Sequence, residues 1–314
     1  MSASHWQGVD RAPLRIGLAA LTAAFVVLEL ASLLGLSADA HYRPTRQPWL
    51  PATPVTLALI GAVALAALGA LAANRRPLLA SAVALAAMGL VSLWGTQYFG
   101  MVSHNFMFPG GLLFGWALGL VYARTRCPRG APDRALSEEL AEAGAMGVFA
   151  ALYVSSAASK LIDSGADWLS PNTLRVLVLS QRGLADLGWI DRYRSLLIDH
   201  PGLARLGAAL TLTIEGGSFF LLVSRRTRTL WGALILLLHL NIIVIATMPY
   251  IEPMSFALVF ALPWPALLRL PRAQPPTPPD GPTLSWTVIY GLLVLTLLGA
   301  LLPVGASPFL PRPH

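Results

Sequence analysis

The chain has 314 residues, of which 55% are hydrophobic and 12% are charged, and its mean hydropathy is +0.64. Soluble globular domains carry roughly 25% charged residues, so this composition excludes a disordered chain and disfavours a water-soluble enzyme. Apolar runs that approach the ~20 residues needed to cross a bilayer recur along the sequence. We therefore predict an all-α, polytopic helical membrane protein.

Nine apolar runs are predicted to span the membrane within a single membrane-embedded domain covering residues 1–314. In chain order these spans are 14–36, 54–73, 77–99, 106–123, 143–162, 205–223, 229–247, 253–270 and 284–303.

Arginine is distributed unevenly between the two sides of these spans. Of the 21 arginines, 13 lie in the N-terminal tail and the connections of one side, whereas the short connections of the other side hold only Arg43 and Arg46. Basic residues collect on the cytoplasmic side of a membrane, so we expect a plasma-membrane protein with a cytoplasmic N-terminus and an external C-terminus. The same bias accounts for the net charge of +7, and we predict no nucleic-acid partner.

Two connections and one span have distinctive patterns. Leucines recur at roughly helical spacing among Arg and Asp in the external residues 163–204, which predicts amphipathic helices on the outer membrane surface. The proline-rich residues 271–283 are predicted to form a semi-rigid cytoplasmic linker. Gly111, Gly115 and Gly119 are spaced four apart on the fourth span, which favours close helix packing.

Several ionisable residues lie inside the predicted spans or at a span boundary, where charge is costly and marks function. They are Glu29, His104, Lys160, Glu215 and His239. With the predicted orientation all of them fall in the outer half of the membrane. This shared depth predicts one polar pocket that opens to the outside and admits a lipophilic ligand.

Lys160 is the only lysine in the chain, against 21 arginines. A guanidinium group is effectively always protonated, whereas a buried ammonium can lose its proton and act as a base or nucleophile. This contrast favours a chemical role for Lys160. The alternative is a lysine that extends to the membrane surface and pairs with Asp163 or Asp167.

Glu215 and His239 lie on consecutive antiparallel spans, and each is 12 residues from Thr227 in the intervening turn. At about 1.5 Å per residue both lie roughly 18 Å from the turn, so we expect them to face each other as a carboxylate–imidazole pair. The alternative is an interhelical hydrogen bond with a structural role only. Neither residue has a closely spaced ligand partner, and we predict no metal site.

Four short motifs surround these residues. They are Val102–Phe106, Tyr153–Leu161 followed by Asp167-Trp168, Glu215 placed 24 residues before His239, and His239-Leu240-Asn241 followed by Met248-Pro249-Tyr250. Over roughly residues 10–270, their order and spacing resemble the vitamin K-dependent γ-carboxylase family. The resemblance extends to the bacterial relatives of that family that carry the horizontally transferred transmembrane (HTTM) domain.

The resemblance implies an enzyme that epoxidises a reduced vitamin K- or menaquinone-type hydroquinone with O2 and thereby generates a strong base. Lys160 falls on the lysine that the family uses as the base that activates the hydroquinone. We expect His104, His239 and Glu215 to complete the catalytic set by positioning the quinone oxygens and stabilising developing charge. The residues expected to bind the cofactor are Asn105, Asn241 and Glu29.

The resemblance leaves the second substrate open. The family's carboxylases follow the membrane part with a large luminal domain, and we expect none here because the sequence ends 11 residues after its last predicted span. Carboxylation with CO2 therefore stays open, as does the identity of a small-molecule or peptide partner on the external side. Membrane lipid and quinone are the other expected partners. The alternatives are a non-catalytic quinone- or lipid-binding membrane protein and a transporter.

Overall fold

A computed structural model describes residues 12–38, 53–99, 106–126, 134–180, 188–246 and 250–261 of the chain. Within these ranges the chain forms helices and no strand, which confirms the predicted all-α class. The α-helices are α1 (Ala12–Ala38), α2 (Pro54–Ala72), α3 (Pro77–Phe99), α4 (Met107–Arg126), α5 (Arg134–Ser164), α6 (Pro171–Ser180), α7 (Gly188–Asp199), α8 (Pro201–Gly216), α9 (Arg225–Ala246) and α10 (Ile251–Ala261). Short 3-10 helices, Gly165–Leu169 and Gly217–Leu222, follow α5 and α8.

Five helical segments of the described chain are long and apolar enough to cross a membrane, and they make the protein a helical, multi-pass membrane protein. These segments are Ala12–Gly35, Pro54–Ala72, Pro77–Thr96, Leu136–Leu169 and Arg226–Ala246. Their apolar side chains also cover the outside of the molecule, since Leu28, Leu59 and Leu237 are 60%, 62% and 61% exposed. Leucines exposed to this extent match a surface that contacts lipid.

The other four predicted spans are matched less closely. The span 106–123 corresponds to α4, which has 20 residues but is not among the five segments. The span 205–223 corresponds to α8, with 16 residues, and the 3-10 helix after it. Helix α10 covers the described part of 253–270. The span 284–303 and the linker 271–283 lie outside the described residues, and the count of nine stays a prediction.

Helix α8 changes to 3-10 winding at Gly217, two residues after Glu215, because side chains compete for its backbone. In an α-helix the Ile214 carbonyl oxygen accepts from the amide four residues on. Here this oxygen accepts from the Ser218 hydroxyl at 2.9 Å and from the Trp231 indole at 3.0 Å. Gly217 admits the indole, since a Cβ at this position would overlap the Trp231 ring.

The described residues form two compact units. The first contains α1 to α4 and α5 as far as Phe149, and the second contains α5 from Ala150 onward together with α6 to α10. In the first unit, α1 and α3 pack against α2, and α4 packs against α3. In the second unit, α9 packs against α8 and α10, and α6 packs against α8. The single domain expected from the sequence stays a prediction.

Glycines bring α4 and α5 into backbone contact in the first unit. A Cβ at Gly115 would overlap the carbonyl oxygen of Gly144, and one at Gly119 would overlap the carbonyl oxygen of Leu140. Such contacts are possible only for residues without a side chain. The predicted packing role of the small-residue stripe is therefore confirmed for Gly115 and Gly119.

A buried ion pair joins α1 to α5 in the first unit. The Arg15 guanidinium pairs with the Glu138 carboxylate, and these side chains are 4% and 10% exposed. Arg15 Nε also donates to the Ala72 carbonyl oxygen at 3.4 Å, and the Asn74 amide donates to Glu138 at 3.4 Å. Arg15 is one of the 13 arginines that the sequence pattern assigned to the cytoplasmic side, and in the structure it takes part in helix packing.

Candidate functional site

The C-terminal part of α5 places three polar side chains on one face. Tyr153, Ser156 and Lys160 have i, i+3, i+7 spacing, which aligns residues along one side of an α-helix. Two alanines between Ser156 and Lys160 favour the helical state. Helices α8 and α9 of the same unit supply Glu215 and His239.

Lys160 and Glu215 form an ion pair in the second unit. Lys160 Nζ donates to the Glu215 oxygens Oε1 at 2.7 Å and Oε2 at 2.6 Å, and to the Ser156 hydroxyl at 2.6 Å. The two charged side chains are 20% and 8% exposed. A carboxylate that binds an ammonium through both oxygens makes charge-assisted hydrogen bonds, which are stronger than neutral ones.

Trp168 covers the Lys160 amine from another side. The centre of its ring lies 5.3 Å from Nζ, which is within the range of a cation–π interaction. Trp168 reaches this position because the chain leaves α5 at Gly165, whose φ of +56° lies in the left-handed region that favours glycine. The 3-10 helix that begins at Gly165 includes Trp168 and places its indole near Lys160.

The alternative in which Lys160 pairs with a surface aspartate is wrong. Among the described residues, the carboxylate that binds Lys160 is that of Glu215. The Asp163 carboxylate accepts a hydrogen bond from the Ser159 hydroxyl at 2.8 Å. The carboxylate of Glu215 lies inside the unit, so the amine is directed inward rather than toward the surface.

His239 pairs with Tyr153. The Tyr153 hydroxyl and His239 Nε2 share a hydrogen bond of 2.6 Å, and the two residues are 4% and 7% exposed. The Tyr250 ring lies with its centre 5.7 Å from that of the imidazole. The other ring nitrogen, Nδ1, is buried and has no hydrogen-bond partner among the described residues.

The predicted pair of Glu215 with His239 is therefore replaced by two pairs, each with a partner on α5. Equal depth on a helical hairpin does not specify rotation about the helix axes, and an ammonium is a stronger partner for a carboxylate than an imidazole is. Tyr153 and Lys160 also share one face of α5, two turns apart, which makes the two pairs neighbours. The two pairs thus form one cluster, which we call the α5 cluster: Tyr153, Ser156, Lys160, Glu215 and His239.

Tyr153 and Ser156 are members of the α5 cluster that sequence reasoning missed. Both belong to the motif quoted for the family resemblance, but neither was assigned a role. Their i, i+3 relation to each other and their i+7 and i+4 relations to Lys160 could have identified them. Polar residues that share a helix face with a buried ionisable group are candidates for its partners.

The residues expected to bind the cofactor lie in different places. Asn241 lies on α9, where its Oδ1 accepts a hydrogen bond of 2.9 Å from the Tyr193 hydroxyl of α7. Glu29 is buried in α1 of the first unit, at 2% exposure. His104 and Asn105 lie outside the described residues. Of the four predicted catalytic residues, the α5 cluster brings together Lys160, Glu215 and His239.

Helix α7 is attached to the C-terminal end of α9 by two polar contacts. Arg194 is 2% exposed, and its Nε donates at 3.1 Å to the Val244 carbonyl oxygen, one of the last acceptors of α9. Tyr193 makes the bond to Asn241, and burial raises the pKa of its phenol from the usual value of 10.0. The phenol therefore remains a neutral donor at physiological pH.

The α5 cluster contains groups that can exchange protons and donate hydrogen bonds. Within the described ranges, no group of three or more His, Cys, Asp or Glu side chains is placed to hold a metal ion. The cluster instead combines an ammonium–carboxylate pair, which can exchange a proton, with a phenol–imidazole pair, which can offer a hydrogen bond. In comparisons with known proteins, no family model, curated protein or solved structure matches the chain.

Proposed function

We propose that the protein is an integral-membrane enzyme that oxidises a reduced naphthoquinone, in the manner of the γ-carboxylase and HTTM proteins that its motifs resemble. The observation that carries the proposal is the α5 cluster itself, in which Lys160 meets Glu215 and Tyr153 meets His239. Buried ionisable groups in a membrane protein are costly and mark functional sites. A hydroquinone with an isoprenoid tail dissolves in the bilayer and reaches such a site laterally.

The Lys160–Glu215 pair supplies the base. Transfer of a proton from the ammonium to Glu215 leaves a neutral amine, and this amine accepts the hydroxyl proton of the hydroquinone. Overall, hydroquinone and O2 give the quinone epoxide and water. Four electrons pass from the hydroquinone to O2, one oxygen atom enters the epoxide, and the other leaves as water with the two hydroxyl protons.

The remaining predicted residues complete the proposal. His239 and Glu215 position the quinone oxygens, and the resemblance assigns the same role to His104. Asn105, Asn241 and Glu29 are proposed to contact the cofactor. Carboxylation with CO2 would be a second step, and its acceptor would be a small molecule or peptide on the external side.

The proposed topology places nine spans in the plasma membrane with a cytoplasmic N-terminus and an external C-terminus. The external segment rests on the outer surface through α6 and α7. Support comes from the outward side chains Val176, Leu179, Trp189 and Leu196, which are 64%, 48%, 59% and 42% exposed. Apolar residues at this exposure on short helices are typical of interfacial helices.

The reaction is tested with purified protein in detergent and the hydroquinone of a short-chain menaquinone. Wild type is expected to form the epoxide under O2 and not under argon, as measured by chromatography against a sample without protein. Arg192→Gln, a change at an exposed position of α7, serves as the matched control and should retain activity. If the protein binds the menaquinone but forms no epoxide above the protein-free sample, the non-catalytic binding protein is the better account.

A transporter is the second candidate, and the break in α8 favours it. Interrupted helices beside a polar site are a feature of transporters, and 3-10 winding within a helix often marks a hinge. Here the winding changes at Gly217, two residues after Glu215. Uptake of a substrate into proteoliposomes without any epoxide formation would favour transport over the proposed reaction.

A further inference from the structure

The two ring nitrogens of His239 have different surroundings. Nε2 is occupied by the Tyr153 hydroxyl at 2.6 Å. Nδ1 is buried, since the residue as a whole is only 7% exposed, and it has no hydrogen-bond partner among the described residues. An unpartnered buried polar atom is costly, and such an atom in a functional cluster indicates a position that a ligand completes.

The contact with Tyr153 selects one tautomer of the imidazole. A phenol is a better hydrogen-bond donor than acceptor, and the unprotonated nitrogen of an imidazole is a strong acceptor. The short bond is therefore best formed with the phenol donating to Nε2. In the neutral ring the proton then resides on Nδ1, so the unpartnered atom is a donor.

We infer that Tyr153 is a positioning residue that holds His239 as the neutral Nδ1–H tautomer, and that this N–H donates a hydrogen bond to an acceptor oxygen of the ligand. The ligand chemistry is a carbonyl or hydroquinone oxygen on a planar ring, because the centre of the Tyr250 ring lies 5.7 Å from that of the imidazole and offers an aromatic surface beside it. The assignment of the oxygen to a quinone rests on the proposed function, whereas the assignment of the tautomer does not.

The tautomer is tested by nitrogen-15 NMR of histidine-labelled protein in detergent, with the His239 resonances identified by their loss in His239→Gln. Two-bond proton–nitrogen correlations distinguish Nδ1 from Nε2. Wild type should show a protonated Nδ1 and an unprotonated Nε2, and Tyr153→Phe should lose this preference. A wild-type ring protonated at Nε2, alone or together with Nδ1, overturns the inference whatever the protein's function.

The donor role is tested by two amide substitutions that mimic different ring nitrogens. The amide of His239→Asn lies close to the position of Nδ1, whereas the amide of His239→Gln lies close to that of Nε2. The probe is an oxidised short-chain menaquinone, and its binding is followed by quenching of tryptophan fluorescence. We expect His239→Asn to bind nearly as well as wild type and His239→Gln to bind about tenfold more weakly.

The outcomes of the two experiments separate the two proposals. Retained binding in His239→Gln together with weakened binding in His239→Asn would assign the ligand contact to Nε2 and overturn the donor role. If wild type does not bind the menaquinone at all, the quinone function fails, while the NMR result still decides the tautomer. Thermal unfolding of each variant identifies a loss of binding that comes from loss of the fold.

Discussion

The Nζ atom of Lys160 lies 2.6 Å and 2.7 Å from the two carboxylate oxygens of Glu215, a residue 55 positions further along the chain. Both side chains are largely buried, at 20% and 8% exposure. Removal of one partner leaves a buried charge without its counter-charge, and this costs more than the pair itself contributes. The pair therefore links the chemistry of the α5 cluster to the stability of the second unit.

The Glu215→Gln variant should be destabilised by about 3 kcal/mol, at the low end for a broken buried pair because Lys160 is partly exposed. The measurement is the unfolding transition in detergent. Asp191→Asn removes an acid from an exposed position of α7 and should change stability by less than about 0.5 kcal/mol. Adding Lys160→Met to Glu215→Gln should recover most of the loss, and failure to do so would argue against an uncompensated charge as its cause.

Substitution of the two arginines of α7 should have different effects on the attachment of α7 to α9. Arg194→Met removes the donor to the Val244 carbonyl oxygen and should release α7 from α9, whereas Arg192→Met changes an exposed side chain. Hydrogen exchange of the α7 amides measures this release. We expect faster exchange in Arg194→Met only, and equal exchange in the two variants would show that the contact does not hold α7.

Alanine at Gly115 should destabilise the first unit, because its Cβ would overlap the Gly144 carbonyl oxygen. Overpacking at such a contact costs about 1–3 kcal/mol. Gly89→Ala on α3 is the control, since nothing lies within 4 Å of a Cβ there. That control should be neutral or stabilising by up to about 1 kcal/mol because alanine has the higher helix propensity. Thermal unfolding of both variants compares these effects.

The attachment of α7 to α9 should weaken at alkaline pH. Burial raises the pKa of Tyr193 above its usual value of 10.0 in the folded protein, so the folded state retains the phenol proton to higher pH than the unfolded state does. The stabilisation from Tyr193 is thus complete below about pH 10 and is lost as the pH rises through the raised value.

The alkaline change should be smaller in Tyr193→Phe, which has no phenol to titrate. It can be followed as the increase in α7 hydrogen exchange relative to a reference helix of the first unit. The ultraviolet absorbance of tyrosinate, compared between wild type and the variant, reports the titration of Tyr193 itself. A midpoint at or below about pH 10 would be inconsistent with a buried phenol.

Hydropathy predicted the positions of the helices well because long apolar segments leave few alternatives in lipid. The first three predicted spans each overlap one described helix that can cross a membrane. The winding of α8 was not predictable in this way, since it depends on Trp231, a residue of another helix, binding the Ile214 carbonyl oxygen. Tertiary contacts of this kind leave no periodic pattern in the sequence.

For the candidate site, the residues that take part could be predicted from the sequence, but the way in which they pair could not. Glu215 and His239 were identified as ionisable residues inside predicted spans and Lys160 also by its rarity, and all three belong to the α5 cluster. Their pairing was wrong because residue spacing does not give the rotation of one helix against another. The missing partners, Tyr153 and Ser156, lie on the same face of α5 as Lys160, which was identified by its rarity and not by its neighbours.

The rate of epoxide formation by Lys160→Arg tests the central claim most directly. Arginine retains the positive charge and can pair with Glu215, but its guanidinium does not lose a proton to become a base. With unfolding and menaquinone binding checked in parallel, we predict epoxide formation at least about a hundredfold slower than in wild type, the usual contribution of a general base. Equal rates in the two proteins would contradict a role for Lys160 as the base.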